Sequence, residues 1–185
     1  MPELDEALVT TIGSDAATSY VDLDYAEQYF AGRASGKVWR DEADTARKVG
    51  ALLEAVERLD ALNFIGMRWQ LNQALEWPRL TGTSRNQSIF TPRIGINLGL
   101  YDLRGRYFNV TDIPTPIKKA QCEIAQLILI EATSEQFDDG GISSFALGDL
   151  RVTREAKKTT STRIPDTAMR LLDGLLMNGS RLVKC

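Results

Sequence analysis

Apolar residues recur at helical spacing in several stretches. In DEADTARKVGALLEAVERLDALNFIG, Val49, Leu52, Leu53, Val56 and Leu59 follow the i, i+3, i+4, i+7 rule, with Asp41 or Asp44 as cap and Gly66 near the stop. Arg47, Lys48, Glu54, Glu57 and Arg58 fall mostly off that stripe and read as a solvated face. A second strong helix is predicted in IPTPIKKAQCEIAQLILIEATSEQF, where Thr115 can cap, Pro116 suits the first helical position, and Ile117, Ala120, Ile124, Leu127 and Ile128 share a face. A shorter helix with Tyr25, Ala26, Tyr29 and Phe30 on its apolar side follows Asp22 or Asp24 and ends by Gly32 or Gly36. PDTAMRLLDGLLMNG predicts a last amphipathic helix presenting Met169, Leu172, Leu175 and Leu176.

Between these helices the pattern changes. Leu150, Arg151, Val152 and Thr153 alternate as one short strand would. YDLRGRYF fits a small turn or hairpin around Arg104–Gly105. Residues 81–99 are rich in Ser, Asn, Gly and Thr and read as a long loop, a length that in a compact domain is usually functional or mobile. The expectation is a mainly α fold: a small helical bundle of about four helices with a short β element, a long central loop and flexible terminal arms. Its divisions are an N-terminal arm over 1–18, a helical domain over 19–178 and a tail over 179–185; within the domain, 80–110 holds the long loop and 145–155 the short strand region.

Composition narrows the chemistry. At 43% hydrophobic residues the chain can bury a core. It contains no membrane-length apolar run, and its acidic N-terminal stretch is unlike a signal peptide, so a soluble protein of a reducing compartment is expected. There is no histidine, which removes the commonest general base and metal ligand. GxGxxG and GxxxxGK[ST] are missing, and Ser143 and Ser144 have no histidine to activate them. No cofactor, metal or catalytic role is expected. Cys122 reads as a small buried thiol and Cys185 as an idle terminal one.

Charge is uneven. Residues 1–30 hold seven acids and no Lys or Arg, whereas 149–185 hold eight basic and four acidic side chains. Such polarity suits head-to-tail packing of copies, or two solvated arms.

ALEWPRL, residues 74–80, allows two readings. Trp77, Pro78 and Arg79 can turn the chain over a hydrophobic core, with Pro78 biasing Trp77 away from helical geometry. An aromatic beside a basic side chain can also stack on single-stranded nucleic acid. Arg79, Arg85, Arg93, Arg104 and Arg106 interleave with Trp77, Phe90, Tyr101, Tyr107 and Phe108 in the same region. Against a nucleic-acid role stand the net charge of −3 and a pI near 5.1. The structural corner is the preferred reading, because burial is the commoner fate of tryptophan.

TSYVDLDYAEQYFAGR, ALEWPR, IPTPIKKAQCEIA and GDLRVTRE, in that order and followed by a short closing helix, resemble the head–tail connector (adaptor, head-completion) proteins of tailed bacteriophages, some of which are labelled DnaT-like single-stranded-DNA-binding proteins. The resemblance runs from about residue 19 to the end. This chain departs from that pattern by inserting roughly residues 80–99 between WPR and the Tyr101–Gly105 turn. The resemblance implies a structural virion protein of the neck, assembled in the bacterial host cytoplasm: a homo-oligomeric ring, a dodecamer, below the portal. Such a ring extends the DNA channel and docks the tail, its stopper or its tail-terminator protein, with no membrane involved. It further implies portal binding through Arg181, Leu182, Val183, Lys184 and Cys185. Arg85, Arg93, Arg104 and Arg106 are then candidates to face a neighbouring subunit or DNA. The alternative is a single-stranded-DNA-binding accessory protein.

Overall fold

A computed structural model of the chain describes residues 7–81, 99–138, 144–147, 150–153 and 164–177. Among them are five helices: α1 (Leu23–Ala31), α2 (Lys37–Asp41), α3 (Thr45–Asp60), α4 (Thr115–Asp138) and α5 (Asp166–Leu171). Six short strands, β1 (Met67–Arg68), β2 (Arg79–Leu80), β3 (Gly99–Tyr101), β4 (Tyr107–Asn109), β5 (Ser144–Leu147) and β6 (Leu150–Thr153), pair antiparallel as β1–β2, β3–β4 and β5–β6. The architecture is therefore α-helical with short β elements, and not the plain bundle of about four helices with one strand that periodicity suggested. Alternation marked β6, and the Arg104–Gly105 turn marked β3–β4, but the two-residue β1 and β2 are too short for a two-residue alternation to stand out.

The central helix is α4. It packs against α1, α2, α3 and α5, so of the expected stripe Ile117, Ala120, Ile124 and Ile128 are buried and Leu127 half-buried, and burial extends to Gln121, Cys122, Ala125, Gln126 and Leu129. The amide of Gln121 makes this tolerable: its Oε1 accepts from the Tyr20 N–H at 3.2 Å, and its Nε2 donates to Ser19 Oγ at 2.8 Å and Leu52 O at 3.0 Å. Cys122 is wholly buried, and burial followed by the neighbouring Glu123 charge pushes its thiol up to about 12.

Asp44 caps α3, accepting from the Ala46 N–H at 2.9 Å, and Val49, Leu52, Val56 and Leu59 are buried together. This helix stops at Asp60, well before Gly66. Asp22 caps α1, whose Phe30 stacks on Trp39 of α2 at 5.1 Å between ring centroids. The last helix ends at Leu171, short of its apolar pattern, and the chain turns at Gly174 (φ +90°); within the helix Met169 is 39% exposed.

Of the loose arm expected over 1–18, the described residues 7–18 instead form a packed hook. Thr18 N–H donates to Val9 O at 2.9 Å, Ala74 N–H donates to Ser14 O at 3.0 Å, and Leu8 joins the core.

Candidate nucleic-acid interface

The β3–β4 hairpin presents aromatic side chains to solvent. Its register pairs Gly99 with Asn109, Leu100 with Phe108 and Tyr101 with Tyr107. Beyond the last pair Asp102 N–H donates to Arg106 O at 2.9 Å, and Gly105 (φ +76°) closes the turn. Alternation along each strand then sorts the side chains. Leu100 is buried, with Phe108 half-buried opposite it on the core face. Tyr101, 57% exposed, and Tyr107, 37% exposed, occupy the outer face. Their rings lie 5.1 Å apart between centroids, tilted by 52°. Gly99 makes room for this pair, since a Cβ there would fall 2.6 Å from the Tyr107 ring and 2.3 Å from Phe108 O.

The arginines of the turn face elsewhere. The Asp102 side chain, itself buried, accepts from the Arg104 N–H at 2.9 Å, the Arg106 N–H at 2.7 Å and Arg106 Nε at 2.6 Å. Burial alone would raise the Asp102 pKa; the hydrogen bonds from Arg106 and Arg104 and the Arg106 charge outweigh it and hold the carboxyl below its ordinary value. Arg104 is ion-paired with Asp173 just past α5, and Arg106 Nη2 donates to Asp173 O at 3.2 Å. Leu103 N–H donates to Gly174 O at 3.0 Å, so the turn is docked on the end of α5. Arg106 also lies over the Phe108 ring at 5.7 Å, on the core-facing side. Tyrosines and arginines that interleave in sequence are thus separated onto two faces.

The Trp77-Pro78-Arg79 segment is enclosed. Trp77 is 2% exposed and meets Phe64 edge-on at 5.4 Å, and a cis peptide bond joins it to Pro78. Its ring faces are covered, so no base can stack on it in this conformation. Arg79 is 8% exposed and donates to the carbonyls of Ile65 at 2.9 Å and Gly66 at 2.8 Å, besides its ion pair with Glu76. The corner is tied to α3 through a buried relay. Tyr20 Oη donates to Asp60 Oδ1 at 2.5 Å and accepts from the Trp77 N–H at 3.2 Å, while Glu76 N–H donates to Asp60 Oδ2 at 3.1 Å. Burial raises the Asp60 carboxyl to about 6, against the opposing pull of the Tyr20 and Glu76 hydrogen bonds.

Arg85, Arg93, Phe90 and the segment Arg181, Leu182, Val183, Lys184 and Cys185 lie outside the described residues. Sequence reasoning passed over Asp102, whose i, i+4 spacing to Arg106 was a usable signal, and Gly99 and Asp173, which carried none. Among the described residues, no three His, Cys, Asp or Glu side chains gather as a metal site, and no helix is long and apolar enough to cross a membrane.

The family model described as "Putative DnaT-like ssDNA binding protein" matches residues 7–184. No curated protein matches the chain, and no solved structure does.

Proposed function

The chain belongs to the putative DnaT-like ssDNA-binding protein family, and from that premise we propose that it binds single-stranded DNA through the outer face of the β3–β4 hairpin, with no catalytic step. The observation that carries the assignment to this surface is the exposed Tyr101–Tyr107 pair. Exposed aromatic faces on a rigid hairpin are a sequence-tolerant platform for unpaired bases. A net charge of −3 argues for a local contact and against a broad basic groove. The test is fluorescence anisotropy of a labelled thymidine oligonucleotide against the protein and its Tyr101→Ala/Tyr107→Ala variant. Binding by the parent, weakened about tenfold or more in the variant, supports the assignment. Unchanged binding in a folded variant moves the site off the hairpin; no binding by the parent removes the function.

A second reading, a neck subunit of a tailed-phage particle, is favoured by two exposed apolar side chains, one in the hairpin turn and one past α5. Leu103 is 59% exposed and Met177 61%, and a subunit contact would cover both. In that reading copies of the chain form a ring, a dodecamer, between the portal and the tail. Residues 181–185 engage the portal, and packaged DNA passes nearby. Electron microscopy of particles labelled with an antibody against this chain tests it: label at the neck supports the role, and unlabelled mature particles remove it.

A further inference from the structure

We infer that the hairpin site recognises bases and not phosphates, because the protein's own carboxylates already occupy its arginines. The inference rests on the proposed single-stranded-DNA reading and specifies the ligand chemistry of the same surface. Arg106 is held by the buried carboxylate of Asp102 and by Asp173 O, and Arg104 by the carboxylate of Asp173. With Asp173 brought in from past α5, two arginines face two aspartates, and their charges cancel. Both guanidiniums also lie toward α5, away from the outward faces of Tyr101 and Tyr107. The stem of Arg104 runs beside Gly174, where its Cγ lies 3.3 Å from the place a Cβ would take.

Asp102 and Asp173 already offset the charge of these guanidiniums, so a backbone phosphate gains less at this turn than it would beside unpaired arginines. An unstacked base meets no such competition, since the exposed tyrosine rings offer apolar and π surface directly. Duplex DNA has its bases stacked away and presents mostly phosphates, so the site discriminates for strands whose bases are free. Asp173 is the positioning residue of this device: it holds Arg104 in the place a phosphate would compete for.

The test compares a thymidine oligonucleotide with an abasic strand of equal length, titrated over a range of salt against the parent and Asp173→Asn. This substitution keeps the Asp173 carbonyl that Arg106 uses and changes an exposed side chain, so the fold is retained. The parent is expected to bind the thymidine strand about tenfold or more tighter than the abasic one. Asp173→Asn frees Arg104, so it should bind the abasic strand more tightly and steepen the log–log salt slope by about 0.7. Equal affinity of the parent for the two strands overturns the inference while leaving single-stranded-DNA binding in place. An unchanged salt slope in Asp173→Asn overturns the role of Asp173. No binding of either strand fails the underlying function, and the inference with it.

Discussion

Replacing Tyr20 with Phe tests the corner where the chain is most tightly tied. The hydroxyl links three elements: it donates to Asp60 at the end of α3 and accepts from the Trp77 N–H at the entry to the cis bond. Removing it deletes a bond to a carboxylate and orphans a buried amide, together costing about 3 kcal/mol. The cost should also depend on pH. The Asp60 carboxyl is raised from 3.8 to about 6 by burial, so between those values the unfolded chain has lost a proton that the native state keeps. The native state binds more protons there, and stability falls as pH rises through the window, by about 3 kcal/mol in all. Below it the penalty is absent, and above it the full penalty persists. The Tyr20 hydroxyl pulls the Asp60 carboxyl back down by hydrogen-bonding its charged form. Without it the carboxyl climbs further and the penalty at neutral pH grows. Near pH 5 Asp60 is protonated in the native state, and only the lost hydrogen bonds count. Urea unfolding followed by tryptophan fluorescence should therefore give a Tyr20→Phe cost about 1 kcal/mol or more larger near pH 7.5 than near pH 5. In an Asp60→Asn background that difference should vanish. A cost below about 0.5 kcal/mol, or one equal at both pH values in the parent background, would refute the relay.

Further outcomes follow from the same packing. Trp77→Ala should lower unfolding free energy by about 3–5 kcal/mol, measured by denaturant titration, because it empties a closed site against Phe64. Gly99→Ala should destabilise the hairpin by about 1–3 kcal/mol and weaken oligonucleotide binding with it, since the added methyl collides with Phe108 O and the Tyr107 ring. The Cys122 thiol, raised to about 12, should react with a disulfide reagent at neutral pH only as fast as the chain unfolds; rapid labelling of the native protein would contradict its burial.

Helical periodicity and caps were legible along the chain. The stripe from Val49 to Leu59 and the Asp44 cap of α3 needed only neighbours three or four residues apart, and the hairpin at Arg104–Gly105 needed only its turn residues. These features depend on local backbone preference and on which side of one element is apolar, and a sequence carries both directly. The full enclosure of α4 was not legible, because Gln121 is acceptable in a core only where Ser19, Tyr20 and Leu52 converge on it. The same holds at the candidate site. Arginines and tyrosines alternate in the sequence, and their separation onto two faces depends on Asp173, which reaches Arg104 from 69 residues away. Local spacing marked α1, α3, α4, α5, β6 and the β3–β4 hairpin, while α2, β1, β2 and β5 emerged only in the structure. Tertiary packing decided which charges are neutralised and which rings meet water, because electrostatic and burial energies depend on neighbours in space that the order of residues does not name.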